Sequence, residues 1–227
     1  MGKNRAFEIL ETKEGILAEN DGIALQVREE LSASKTFFVN LMASPGAGKT
    51  TTLLRTIEAL KDRWRIGVME ADVDSDVDAR AIAQTGVKVI QLHTGGSCHM
   101  DAAMTKKGLD GLGLEDVDVV FLENVGNLVC PAEFQVGADV SAVILSVPEG
   151  DDKPLKYPLM FTVGDVLLIN KTDCLPVFDF DVERCRRNIA PLNDHMEYFP
   201  LSAKTKEGFD AWIDWLDKKI RETVGCQ

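Results

Sequence analysis

From Thr36 onward the apolar residues fall into short continuous runs separated by amphipathic stretches. The runs "TFFVNLMA", "WRIGVME", "VKVIQL", "DVVFLE", "SAVILSV", "VLLIN" and "YFPLS" are rich in β-branched and aromatic residues. Such runs predict strands buried on both faces of a parallel sheet. Between them, "TTLLRTIEALKD" and "DARAIAQTG" predict helices, the second stopping at Gly86 as helices commonly do at glycine. Near the C-terminus, Phe209, Trp212, Ile213, Leu216 and Ile220 recur at three- and four-residue steps, which sets them on one helical stripe facing the sheet. That stripe reads as core, not as a ligand box. The alternation predicts an α/β fold of three layers with a mostly parallel central sheet.

Residues 1–35 break this rhythm. An extended start is expected there, then a helix over "GIALQVREEL" whose Ala24, Val27 and Leu31 share one face. No internal repeat or dividing linker is visible, so the expected organisation is a helical extension over 1–35 and one domain over 36–227.

Composition narrows the partners. A chain of 227 residues, 45% apolar and 27% charged, buries a core unaided. Its formal net charge of -12 repels phosphate backbones, which excludes nucleic acid as the main partner. Neither a signal-peptide core nor an apolar run of about 18 residues occurs, so no membrane role and a cytoplasmic location are expected. The five cysteines, Cys98, Cys130, Cys174, Cys185 and Cys226, are scattered and form no C-x-x-C pair. They predict free thiols, not a disulfide framework.

Four motifs point to a nucleotide. In "LMASPGAGKTTLLR" a glycine-rich turn lies between a predicted strand and a predicted helix, the context a phosphate-binding P-loop requires. Pro45, Gly46, Ala47, Gly48, Lys49, Thr50 and Thr51 would wrap the phosphates, with backbone N–H groups converging on the β-phosphate. Lys49 would reach the β- and γ-oxygens and Thr50 would hold Mg²⁺, both counting as catalytic. Ala43 stands where the strict pattern has glycine. In "LLINKTDCL", Asn170, Lys171 and Asp173 form the N-K-x-D guanine reader: the Asp173 carboxylate accepts from guanine N1–H and the 2-amino group, which adenine cannot supply. In "LSAKTKEG", Ser202, Ala203 and Lys204 offer a backbone N–H to the guanine O6. In "FLENVGN", Glu123 followed by Gly126 has the spacing of a Walker B acid and a γ-phosphate-sensing glycine. Thr50, Glu123 and Asp72 are the expected Mg²⁺ shell, with Asp78 as a weaker candidate or a helix N-cap. Asn127, not glutamine, follows Gly126, so slow hydrolysis of GTP to GDP is expected.

"TGGSCHMDA" sets Cys98 beside His99 in a glycine-preceded loop before a helix expected near Asp101. Cys130, in "NLVCPAEF", follows the Walker B loop. Both loops leave the C-terminal ends of predicted strands, where ligands of open α/β sheets gather. Two thiolates and an imidazole suit Zn²⁺ or Ni²⁺. A closed zinc site usually takes four ligands, and a two-fold dimer would complete the shell. From spacing alone, two buried cysteines and a loop histidine remain an equal alternative.

Together, "SPGAGKTT", "GGSCHMDAAM", "ENVGNLVCPAEF", "EGDDKPLKYPLMF", "NKTD" and "LSAKTKEG" resemble the hydrogenase nickel-incorporation GTPases, the HypB type of metallochaperone, over about residues 36–220. The resemblance implies a P-loop GTPase that forms a homodimer with GTP and delivers nickel during maturation of nickel-iron hydrogenase. It implies Cys98, His99 and Cys130 as metal ligands, and other hydrogenase maturation proteins and the hydrogenase large subunit as partners. Residues 1–35 contain no Cys or His, so no separate storage site is expected there. Ala71 replaces a customary glycine and Arg80 stands one place early. Three rivals are a small-molecule kinase, which would have no use for N-K-x-D, a GTP-gated docking module braced by zinc, and a sister chaperone GTPase for another metalloenzyme. No role for "EGDDKPLKYPLMF" beyond a proline-stiffened loop follows from the sequence.

Overall fold

The computed structural model describes residues 12–225. Residues 1–11, part of the expected extension, and Cys226 lie outside the described residues. In chain order the elements are α1 (Thr12–Ser34), β1 (Phe37–Ala43), α2 (Lys49–Leu60), β2 (Ile66–Asp72), α3 (Val77–Ala83), β3 (Lys88–His93), α4 (Ala102–Leu112), β4 (Val119–Glu123), α5 (Cys130–Glu133), β5 (Val140–Ser146), α6 (Lys153–Lys156), α7 (Pro158–Val163), β6 (Val166–Asn170), α8 (Val182–Ile189), β7 (Glu197–Pro200) and α9 (Phe209–Val224). All seven apolar runs form strands.

They build one sheet in the order β3-β2-β4-β1-β5-β6-β7, every neighbouring pair parallel. The sheet is therefore wholly rather than mostly parallel. Its strand order reverses at β1, with β4 on one side and β5 on the other, which opens a crevice at the C-terminal edge. Alternation along β1 divides the core: Phe37, Val39 and Leu41 pack with α2 and α9, while Phe38 packs with α1 and α4. The α9 stripe of Phe209, Trp212, Ile213, Leu216 and Ile220 is buried as expected.

The extension departs from its sequence reading. Thr12 to Asp21 is already helical, so α1 runs unbroken through Gly15 and Gly22. Each glycine costs a helix about 1 kcal/mol relative to alanine; docking of Ala24, Val27 and Leu31 onto the sheet, all buried, offsets that cost. Gly86 takes a left-handed φ of 85°, but α3 proper ends at Ala83 and one turn intervenes. No helix among the described residues is long and apolar enough to cross a membrane.

At the opposite edge of the sheet, Asp118 joins the starts of β2 and β4. Its Oδ2 accepts from the Arg65 backbone N–H at 2.9 Å and Nε at 3.0 Å, and its Oδ1 from an Arg65 terminal nitrogen at 2.6 Å. The Arg65 hydrogen bonds hold the Asp118 carboxyl below the usual carboxylate range despite its burial. A carboxyl depressed in the fold adds stability above its unfolded pKa, and that stability is lost as pH falls through the folded value. Asp118→Asn is accordingly expected to lower the urea midpoint at neutral pH, with the difference from wild type shrinking in acid. A pH-independent difference would show that the charge is not the cause.

Candidate functional site

The crevice at the C-terminal edge of β1 is a cleft of about 590 Å³ lined by Pro45, Gly46, Gly48, Lys49, Thr50 and Thr51 of the glycine-rich turn, and by Asp72, Asp78, Glu123, Gly126 and Lys171. The sequence nominated these residues from three separate motifs, together with Asp72 and Asp78 as candidate Mg²⁺ acids. A second cleft of about 560 Å³ between α2 and α9 has mixed charges, Arg55 and Arg63 with Glu58 and Asp214, and holds none of the nominated residues.

The turn requires its glycines. Gly46 and Gly48 have φ of 77° and 99°, conformations that side chains rarely adopt. A Cβ on Gly48 would lie 2.5 Å from Asn170 Nδ2. Ala43, where strict patterns have glycine, is the buried last residue of β1 and lies before the curl. Ala47 is buried, and its carbonyl accepts from Asn170 Nδ2 at 2.9 Å. Gly126 comes up against the same turn, since a Cβ there would meet Pro45 at 3.1 Å.

The cation-facing side is built from Thr50 and Glu123. Thr50 Oγ1 donates to Glu123 Oε1 at 2.7 Å, and Glu123 Oε2 is buried without a hydrogen-bond partner. Burial pushes the Glu123 carboxyl up to about 7, against the pull of Thr50 and Lys49. A hydroxyl, an orphaned carboxylate oxygen and nearby Asp72 are hard oxygen donors that fit Mg²⁺. Asp72 Oδ1 accepts the backbone N–H groups of Asp74 at 2.9 Å and Ser75 at 2.7 Å, and these bonds hold its carboxyl below the ordinary value. Asp78 is not an N-cap; Asp76 holds that position and Asp78 sits in the first turn of α3.

The groups nominated for guanine converge. Asn170 Oδ1 accepts from the Lys171 N–H at 2.7 Å and the Ala203 N–H at 3.1 Å. Lys171, at φ 61°, reaches Gly46 O with Nζ at 2.7 Å. Asp173 Oδ1 accepts from the Ser202 hydroxyl at 2.7 Å. The Ala203 N–H donates to Asn170 Oδ1, and the neighbouring Lys204 is exposed.

The thiol pair meets as well. Cys98 Sγ lies 2.9 Å from Cys130 Sγ and 3.9 Å from His99 Nδ1, and one ligand atom from each of the three residues lies within 4.8 Å of the others. All four described cysteines are free thiols. His99 stacks on Phe134 with ring centroids 4.1 Å apart, and its burial holds the imidazole below its ordinary pKa, favouring the neutral form that ligates metal. The adjacent Cys98 thiol, ahead of burial, pushes Cys130 up; a cation between the sulfurs would reverse that. The donor set fits a borderline-soft ion.

The family model "CobW/HypB/UreG, nucleotide-binding domain" matches residues 37–200. The hydrogenase maturation factor HypB of Rhizobium leguminosarum bv. viciae is 43% identical over 209 residues, spanning 92% of this chain and 70% of that protein. The chain belongs to the HypB group of this family. Among solved structures, HypB from Helicobacter pylori in complex with nickel superposes with a TM-score of 0.85 at 36% identity, covering 92% of this chain and 98% of that one. The hydrogenase maturation factor HypB from Archaeoglobus fulgidus gives 0.83 at 38% identity, covering 90% and 100%.

Within this HypB-group chain, several connections carry no sequence signal. Asn124, directly after Glu123 and buried, accepts the Met100 N–H at 3.1 Å and donates to Asn40 Oδ1 on β1 at 3.1 Å. Asn127 donates to the Cys98 carbonyl at 3.3 Å. The segment from Glu123 to Cys130 therefore touches the Cys98–His99 loop twice before reaching its own thiol. Glu149, in the stretch left without a role, receives the hydroxyl of Ser44 beside the phosphate turn, and Asp151 pairs with Arg184 at 2.6 Å. That stretch braces the phosphate turn and α8.

Proposed function

We propose that this HypB-group chain is a GTP-binding, slowly GTP-hydrolysing metallochaperone. It binds nickel, or zinc, at Cys98, His99 and Cys130 and delivers nickel during maturation of nickel-iron hydrogenase. The observation that carries this reading is the meeting of the three metal-ligating side chains within 4.8 Å, one of them at the end of the segment that begins at Glu123. The nickel complex of the Helicobacter pylori relative supports the choice of ion. The working unit is a P-loop GTPase domain over 36–227 with 1–35 as its helical extension.

In this reading Pro45 to Thr51 wrap the phosphates, Lys49 neutralises the β- and γ-oxygens, and Asp173 selects guanine while Asn170 and Lys171 tie its loop to the phosphate turn. Thr50 and Glu123, with Asp72 beside them, would hold Mg²⁺, which would supply charge neutralisation at the phosphates. Gly126 packs on Pro45, so a γ-phosphate pressing on that contact moves the Glu123–Cys130 segment. Asn124 and Asn127 pass the displacement to Met100 and Cys98, altering how the two sulfurs face each other. Asn127 is turned toward the Cys98 carbonyl, which leaves it unsuited to orient an attacking water and supports a low intrinsic rate. The GTP state forms a homodimer whose second copy completes the metal shell, and partner maturation proteins and the hydrogenase large subunit exchange the ion.

Nickel and zinc bound per chain, measured by equilibrium competition in the GTP-analogue and GDP states, test the coupling. A difference of about tenfold or more in affinity is expected, since coupling free energies of 1–3 kcal/mol are typical. Equal affinities would reduce the protein to a docking module braced by its metal.

A further inference from the structure

We propose that Asn20, on α1, is a positioning residue for the metal site, its amide clamping together the two segments that carry Cys98 and Cys130. The need for a clamp comes from topology. Cys98 follows β3 and Cys130 follows β4, and β2 lies between those strands, so no ladder of sheet hydrogen bonds ties one loop to the other. The spacing of the sulfurs depends on cross-ties outside the sheet.

Asn20 is 6% exposed, and a buried amide is retained where both of its halves are bonded. Its Oδ1 accepts the Ala102 N–H at 2.9 Å, and its Nδ2 donates to the Gln135 carbonyl at 2.9 Å. Ala102 opens α4 just beyond Cys98 and His99, and Gln135 follows α5, which opens with Cys130. One amide thus spans both ligand-bearing segments, backbone to backbone. Neither segment is slack between the clamp and its cysteine: Asn124 holds the Met100 N–H on one side, and Phe134 stacks on His99 on the other. The seat of α1 is close-fitting too, since a Cβ on Gly137 would lie 2.7 Å from the Ala24 carbonyl. The extension therefore helps set the metal site without supplying a ligand. This inference rests on reading the thiol cluster as a metal site, but the clamp itself can be measured without metal.

The test uses the full chain, metal-free and dilute in GDP, treated with diamide, which takes up the two thiol hydrogens as the Cys98–Cys130 disulfide forms. The intramolecular product is identified by peptide mass mapping. Asn20→Ala is expected to form it about tenfold more slowly than wild type, the loss that follows when two reacting groups are no longer held in place. Asn20→Asp, which keeps the acceptor for Ala102 but not the donor for Gln135, and Gly137→Ala, which unseats α1, should move the same way. GTP-analogue binding should stay within about twofold, and the Co²⁺ spectrum of the loaded protein should shift. Should one variant fail to fold, the other two carry the measurement. Diamide rates and Co²⁺ spectra within about twofold of wild type in every folded variant would overturn the clamp. A wild type that binds no metal, with the thiol rate still falling in the variants, would overturn the metal reading and leave the clamp standing.

Discussion

Asp173→Asn is expected to lower affinity for GTP by roughly 10⁴-fold, because a site built to hydrogen-bond a ligand rejects a mismatch on that scale. Guanine presents two donors on its N1 and 2-amino edge, and a carboxylate offers two acceptors to match them. An asparagine amide would set its NH₂ against one of those donors and leave it desolvated and unpaired. The loop around it should survive, since Asn170 is held independently by the Ala47 carbonyl and the Ala203 N–H. Ser202, which donates to Asp173 Oδ1, retains an acceptor in the asparagine carbonyl. Xanthosine triphosphate, with a carbonyl where guanine has its amino group, should therefore regain much of the lost affinity. Titration of both nucleotides against both proteins reads the effect, and unchanged GTP affinity in the variant would remove Asp173 from the base site.

The sheet was legible because buried parallel strands need continuous apolar runs, and such runs survive in the sequence as blocks. The α9 stripe was legible because Trp212, Leu216 and Ile220 repeat at helical spacing. Residues 12 to 21 were not: they read as an extended start before a helix beginning at Gly22, whereas α1 already covers them. The docking of α1 on the sheet is tertiary and leaves no local pattern. Asp76 at the start of α3 illustrates a finer limit: several aspartates crowd that stretch, and local pattern alone does not say which one takes the N-cap position.

Motif residues of the nucleotide cleft could be named because each does a job that only one or two residue types can do. The asparagines between the cleft and the thiols could not. Asn20, Asn40 and Asn124 bond across long stretches of sequence, and a buried amide joining distant backbones has no period and no fixed neighbour. Cys98 and Cys130 could be suspected of meeting, since both loops leave the same sheet edge. Their approach to 2.9 Å is the spacing that the proposed Asn20 clamp would hold.

Cys130→Ala is expected to weaken nickel and zinc binding by about two orders of magnitude or more while leaving GTP affinity near wild type. A four-ligand structural zinc site is worth about 10–16 kcal/mol in small peptides, so each ligand accounts for roughly 3 kcal/mol, or about 100-fold. If the metal is shared by two copies of the chain, one substitution removes a ligand from each side and the loss approaches the square of that factor. Nucleotide binding should be spared because Cys130 is not among the residues lining the nucleotide cleft, and the chain before it is held by the Val129 N–H on Asn127 Oδ1. Cys98→Ala should match it, since the two thiols face each other as a pair. Metal affinity by chelator competition, with oligomeric state measured in the same GTP-analogue sample, separates two roles. Loss of nickel transfer with the dimer intact marks a carrier, and loss of the dimer with transfer intact marks a brace. Undiminished affinity for both ions in both variants would mean that the ions bind elsewhere.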